Sequence, residues 1–142
     1  MRRNLIIAVV IGTMAVLAGA ISQTAAVDAA DRAAIERVIR NQIAAFRRDD
    51  RVAAFALASP VIQAAFGTPE PFMGMVRQGY QPVYQPSQVL FREVIMRDWE
   101  PEQRVFVVGS DGQPYIAVYP MERQADGSWK TNGCSLERPQ SV

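Results

Sequence analysis

The spacing of the apolar residues changes in the middle of this sequence, at Gly79. Before Gly79, apolar side chains recur every three to four residues, which is the spacing of helices with one buried face. After Gly79 the residues are mostly of types that favour strands, and the pairs Asp111–Gly112 and Asp126–Gly127 interrupt them. Asp-Gly between two such segments is a strong signal for a β-hairpin. Helices followed by an antiparallel meander predict an α+β fold.

Four helices are predicted in the first part. The longest runs from about Asp31, its N-cap, to Arg48, and it places Ile35, Ile39 and Ile43 on one face. Three shorter helices follow, over about 52–57, 61–66 and 72–79. Ser59-Pro60 and Thr68-Pro69 each combine an N-cap residue with proline at the first helical position, and Gly67 and Gly79 end the helices that follow.

The second part predicts four strands. They cover about Val89–Met96, Arg104–Ser110, Tyr115–Glu122 and Trp129–Leu136. The segment Tyr80–Pro86 between the helices and the strands is predicted to be extended, because a proline disfavours the helical conformation of the residue before it.

The N-terminus has the pattern of a secretory signal peptide. Arg2 and Arg3 precede an apolar run from Leu5 to Leu17, and small residues follow at Ala18-Gly19-Ala20. We therefore expect residues 1–20 to be a signal peptide cleaved after Ala20, residues 21–30 a linker, and residues 31–138 the working domain. This predicts a periplasmic or secreted protein. The alternative is an uncleaved anchor, through which alone the protein would contact a membrane.

The composition excludes several classes of function. The chain has no histidine, which removes the usual general base, the serine and cysteine triads and most zinc sites. Without Arg2 and Arg3, 13 basic residues face 14 acidic ones, so no nucleic-acid partner is expected. No phosphate-binding motif and no cluster of metal ligands is present, so neither a cofactor nor a metal is expected. Cys134, the single cysteine, suits a small buried residue or a bridge between two chains.

Four segments of the sequence resemble a known family. They are AAFRRDD (44–50), AFALASPVIQAAFG (54–67), FMGMVRQGYQPVY (72–84) and YPMERQADGSWKTNGCSL (119–136). They are similar to the exported bacterial family called domain of unknown function 4864, and the order of elements resembles the wider NTF2-like cone fold. The resemblance implies N-terminal helices packed on a curved antiparallel meander. The wider group includes ketosteroid isomerase-like and cyclase-like enzymes as well as binding and dimerising modules.

Six residues are candidates to line a ligand pocket in such a cone. They are aromatic and methionine side chains that suit an adaptable apolar site, and one acid: Phe72, Met75, Tyr80, Tyr84, Tyr119 and Glu122. The same residues also fit simpler roles, as core or core-edge side chains and, for Glu122, as the partner of Arg77 or Arg92 in an ion pair. No residue is assigned a catalytic role.

Three functions remain open from the sequence. The first is a non-catalytic module that holds a small apolar ligand or a partner in the concave face of the sheet. The second is a ketosteroid isomerase-like or cyclase-like enzyme that uses Glu122 with Tyr119 or Tyr84. The third is a structural domain that forms a homodimer through its sheet. A carboxylate buried beside a tyrosine in a closed pocket would favour the enzyme.

Overall fold

The computed structural model describes residues 27–141. The predicted signal peptide lies outside the described residues, as does the predicted linker up to residue 26. Within the described part, no helix combines the length and the apolar character that crossing a membrane requires.

The described residues form helices followed by an antiparallel sheet, so the predicted α+β class is confirmed. The helices, in chain order, are α1 (Ala29–Arg47), α2 (Arg51–Ala56), α3 (Pro60–Phe66), α4 (Pro69–Gly79) and α5 (Gln81–Tyr84). The strands are β1 (Gln88–Arg97), β2 (Glu100–Val108), β3 (Pro114–Arg123), β4 (Trp129–Thr131) and β5 (Ser135–Glu137).

Helix α1 begins earlier than the sequence predicted. Its N-cap is Asp28, whose carboxylate accepts a hydrogen bond from the Asp31 backbone N–H at 2.8 Å. The Asp31 side chain in turn accepts from the Asp28 N–H at 3.4 Å, which completes a capping box. Asp31 is therefore the third helical residue rather than the cap. The proline starts of α3 and α4 follow the prediction.

The segment after α4 is a helical turn, so the prediction of an extended segment was wrong. Pro82 lies in the first turn of α5, where its missing N–H would have had no partner within the helix in any case. Pro82 and Val83 are both buried, and α5 packs against α1 and α4. The free energy of this packing overrides the preference of Gln81, the residue before the proline, for an extended backbone.

The sheet is a meander with one broken edge. Its order is β1-β2-β3-β4, and β5 also pairs with β3. The predicted single strand over 129–136 is split: Met121–Arg123 of β3 pair with β4, whereas Ile116–Val118 pair with β5. Gly133, between the two short strands, has a φ of 130°, which a residue with a side chain rarely adopts. This glycine ends β4 and lets the chain return to the same edge of β3.

The antiparallel pairing of β1 with β2 follows the predicted meander, but the tight turn between them was not predicted. Its two central residues, Asp98 and Trp99, both have positive φ, 48° and 68°. That is the conformation of a type I′ turn, which normally recruits asparagine, aspartate and glycine. Trp99 lies at the tip of the hairpin and is 85% exposed. The sequence signal was missing because no glycine marks this turn.

The core consists of two clusters of buried side chains. One joins α1 to the inner face of the sheet through Ile35, Ile39, Val105, Val107 and Tyr119, among others. The other joins the helices to each other around Phe46, Phe55, Phe72 and Met73. The two clusters meet along α1, and the cavity described next lies between them.

Candidate functional site

A cavity of about 360 Å³ lies between the helices and the sheet and is partly open to solvent. Its walls are mostly apolar and carry no charged side chain among the described residues. The lining residues are Gln42, Phe46, Ala58, Ile62, Phe66, Phe72, Met75, Val76, Tyr80, Val83, Tyr119, Thr131, Gly133 and Cys134.

Packed aromatic rings on α1, α3 and α4 form much of the helical wall. Phe72 on α4 contacts Phe66 on α3 edge to face, with ring centroids 5.7 Å apart, and Phe46 on α1 at 6.2 Å. Phe55 on α2 supports Phe72 from behind at 5.4 Å. Such pairs add about 0.5–1.5 kcal/mol each beyond their burial. The rings of this wall therefore pack against each other, and the cavity lies beside them.

The sheet side of the cavity is formed where the edge of the sheet is broken. Tyr119 lies on β3 opposite Gln103 of β2, with its side chain on the inner face. Gly133 and Cys134, which separate β4 from β5, lie in the same wall. The break in pairing thus places a hydroxyl and a thiol together at one end of an otherwise apolar space.

Among the described residues the Tyr119 hydroxyl has no hydrogen-bond partner, although Tyr119 is only 2% exposed. Burial raises the pKa of this phenol well above its ordinary value, with a further contribution from the neighbouring Cys134. A buried polar group without a partner costs about 1–3 kcal/mol, so native structures rarely keep one without a reason. Tyr119 therefore contributes to this wall a buried hydroxyl whose hydrogen-bonding capacity is unused.

Cys134 is a poor nucleophile in this environment. Cys134 is half-buried, and desolvation of its thiol in the wall raises the pKa to about 12, which the nearby Tyr119 hydroxyl offsets only in part. The thiol is therefore protonated at neutral pH. Because sulfur is a weak hydrogen-bond partner, Cys134 does not satisfy Tyr119, and no bond of normal geometry joins them.

Two other polar side chains in the wall, Gln42 and Thr131, already donate hydrogen bonds within the protein. Gln42 Nε2 donates to the Ala54 carbonyl at 3.1 Å, and Thr131 Oγ1 donates to the Leu57 carbonyl at 3.3 Å. Both bonds attach α2 and its C-cap to neighbouring elements. Their role in holding the wall is structural.

Four of the six predicted pocket residues line the cavity: Phe72, Met75, Tyr80 and Tyr119. Tyr84 and Glu122 do not. The Tyr84 hydroxyl donates to Asp49 at 3.2 Å, on the surface side of α5. Arg77 donates to the same carboxylate at 2.5 Å, and this bond lowers the pKa of Asp49. The three residues tie the end of α1 to α4 and α5.

Glu122 lies beside a second, more polar depression, which it shares with Trp99 and Trp129. Its Oε1 accepts from Gln124 Nε2 at 3.1 Å. Neither predicted partner pairs with it, because Arg77 binds Asp49 and Arg92 lies over the ring of Phe106. The predicted ion pair of Glu122 with Arg77 or Arg92 was wrong.

Sequence reasoning missed several wall residues, and one of them left a signal. Gln42 falls on the apolar face of α1, between Ile39, Ile43 and Phe46, where a polar side chain must find a buried partner. Ile62 and Phe66 fall in the predicted helix over about 61–66 but were not predicted as part of a pocket. Cys134 carried no signal, since its place in the wall depends on the break at Gly133.

A family model described as "Domain of unknown function (DUF4864)" matches residues 28–142 of the chain. Neither the curated proteins nor the solved structures include a match to this chain.

Proposed function

Because the chain belongs to the family called domain of unknown function 4864, whose description assigns no activity, we propose a function from the cavity itself. The protein is a non-catalytic binding module that holds one small, largely apolar molecule between its helices and its sheet. The observation that carries this proposal is the cavity of about 360 Å³, which opens to solvent and has apolar walls. Ligand pockets in proteins run from about 300 to 1,000 Å³ and are lined in the same way.

Export belongs to the same proposal. The basic, apolar and small-residue segments of residues 1–20 support a signal peptide, and the ligand would then be met in the periplasm or outside the cell. N-terminal sequencing of the mature protein tests this. A chain that begins after Ala20 is expected, and an intact Met1 would argue for a retained anchor.

The NTF2-like cone is the finer description of the fold that we propose. A long first helix, short helices and an antiparallel meander support it, as does the sheet edge broken between β4 and β5. An experimental structure tests it, because a cone requires the sheet to curve around the cavity.

The enzyme alternative has less support. It requires a carboxylate beside a tyrosine inside a pocket, and none of the described residues that line the cavity is acidic. Glu122 lies three residues after Tyr119 on β3, and an odd spacing places two side chains on opposite faces of a regular strand. The Tyr84–Asp49 pair is on the surface, and Asp49 there has a lowered pKa, which is unsuited to a general base at neutral pH.

Self-association is a second candidate function, favoured by strand β1. Among the described residues β1 pairs only with β2, and its Leu90 and Met96 are 43% and 48% exposed. A free edge with exposed apolar side chains is a surface on which a second chain can pair. Light scattering after size-exclusion chromatography tests it: a dimer that Leu90→Lys converts to monomer supports it, and a wild-type monomer rejects it.

The binding proposal is tested by filling the cavity. Ile62 on α3 lines the cavity, whereas the adjacent Val61 is 68% exposed. We expect calorimetry with a neutral aromatic probe such as 2-acetylnaphthalene to show one site in the wild-type chain. Ile62→Trp should remove that site, and the matched control Val61→Trp should keep it. Equal binding by all three proteins would place the probe elsewhere and reject the proposal.

A further inference from the structure

We infer that the ligand of this cavity is an uncharged molecule that presents a hydrogen-bond acceptor, such as a ketone, ester or amide carbonyl, to the Tyr119 hydroxyl. The inference rests on the proposed binding function and adds the chemical class of the ligand. It is carried by one buried hydroxyl that has no partner among the described residues and belongs to a residue of a largely apolar wall.

The Tyr119 hydroxyl has a hydrogen-bonding capacity that none of the described residues uses. Tyr119 comes from the middle of β3, which pairs with strands on both edges, so its position is held by the sheet. The hydroxyl is buried and lacks a partner in the part of the chain that the structure describes, whereas Gln42 and Thr131 in the same wall donate to backbone carbonyls. A ligand that accepts a hydrogen bond at this point would remove the cost of the unpaired group.

The ligand should accept rather than donate this hydrogen bond. A tyrosine hydroxyl can do both, but the S–H of the neighbouring Cys134 is donated to the Ser135 carbonyl, with Sγ 3.8 Å from the oxygen. A phenol is a stronger donor than acceptor, and the O–H of Tyr119 has no acceptor among the described residues, so the O–H is the part of this group that is left for the ligand. A carbonyl oxygen of the ligand fits this arrangement.

The ligand should be uncharged because the cavity offers nothing to balance a charge. None of the described residues that line it is basic or acidic. Burial keeps both Tyr119 and Cys134 in their neutral forms. Transfer of an unpaired carboxylate or ammonium group into such surroundings is strongly unfavourable. Fatty acids and amines are thereby disfavoured relative to neutral molecules of the same size.

Three probes of nearly equal shape separate these contributions: 2-acetylnaphthalene, its isosteric alkene 2-isopropenylnaphthalene, and 2-naphthoate. Their dissociation constants are measured by calorimetry at pH 7 with the full-length chain, with Tyr119→Phe and with the control Tyr115→Phe. Tyr115 is a partly buried tyrosine of the same strand that does not line the cavity. Circular dichroism confirms that each variant is folded.

We expect the ratio of the ketone and alkene constants to shift against the ketone by about 2- to 10-fold in Tyr119→Phe, the usual net value of one hydrogen bond. The ratio should not change in Tyr115→Phe. In the wild-type chain 2-naphthoate should bind at least about 10-fold more weakly than the ketone.

Each other result has a definite meaning. An unchanged ketone-to-alkene ratio in Tyr119→Phe would overturn the assigned role of the hydroxyl while leaving the cavity as an apolar site. Naphthoate that binds as tightly as the ketone would overturn the neutral class. Failure of both neutral probes to bind the wild-type chain would overturn the proposed function, and this inference with it.

Discussion

At the scale of single residues, the account depends on the pair Tyr119 and Cys134. Both are held at the broken edge of the sheet, both are kept neutral by burial, and neither satisfies the other. The sequence indicated Tyr119 as a pocket candidate from its residue type alone. It gave no sign of the thiol beside it, because Tyr119 and Cys134 meet only through the pairing of β3 with β4 and β5.

Removal of the Tyr119 hydroxyl should stabilise the empty protein. The buried group has no partner, so Tyr119→Phe should raise the free energy of unfolding by about 1–2 kcal/mol, within the range for an unsatisfied buried group. Urea unfolding measures this, with Tyr115→Phe as the control expected within about 0.5 kcal/mol of wild type. A destabilised Tyr119→Phe would mean that the hydroxyl has a partner inside the protein.

The same pair makes the fold sensitive to alkali. The pKa of the Cys134 thiol is about 12 in the folded protein and 9.0 ordinarily, so the protonated form is favoured by folding. The contribution of the protonated Cys134 thiol to the free energy of unfolding is fully present below about pH 9. It is lost as the pH rises toward about 12, by up to about 1.4 kcal/mol per pH unit. Tyr119, whose pKa is also raised, acts in the same direction at higher pH.

Urea unfolding of wild type and Cys134→Ala at intervals from pH 8 to 11 measures this dependence. We expect the wild-type free energy of unfolding to fall more steeply above pH 9 than that of the variant. Parallel curves would show that the thiol titrates in the folded state as it does in the unfolded chain.

At the scale of secondary-structure elements, the sequence predicted the turns and helix starts that depend on residues adjacent in the chain. The Asp-Gly pairs at 111–112 and 126–127 are turns between strands, with positive φ at both glycines. The proline starts of α3 and α4 were also readable. The prediction was wrong for α5, where packing overrides the effect of Pro82, and for the last strand, where Gly133 interrupts the pairing. These outcomes depend on contacts distant in the chain.

The turn between β1 and β2 should be improved by glycine. Trp99 has a φ of 68° and is 85% exposed, so its side chain contributes little burial while its backbone is strained. Trp99→Gly should be more stable than Trp99→Ala by about 1 kcal/mol, since both remove the indole and only glycine relieves the strain. Thermal unfolding of the two variants decides this, and equal midpoints would show that the turn carries no strain.

At the scale of the whole molecule, the cavity could not be predicted from the sequence. It arises because the aromatic helical wall and the broken edge of the sheet do not fill the space between them. Residue types pointed to four wall residues, but the distinction between Tyr119 and Glu122 depends on the faces of β3. Side chains alternate between the two faces of a strand, so Tyr119 and Glu122, three residues apart, lie on opposite faces. This follows only once β3 is known to be regular between them.

The central claim is that the cavity holds a neutral ligand whose acceptor meets Tyr119. A crystal structure of the full-length chain with 2-acetylnaphthalene measures this directly. We predict the naphthalene rings between Phe72 and Ile62, and the carbonyl oxygen about 2.5–3.0 Å from the Tyr119 hydroxyl. A ketone bound outside the cavity, or inside it with its carbonyl directed away from Tyr119, would contradict the account.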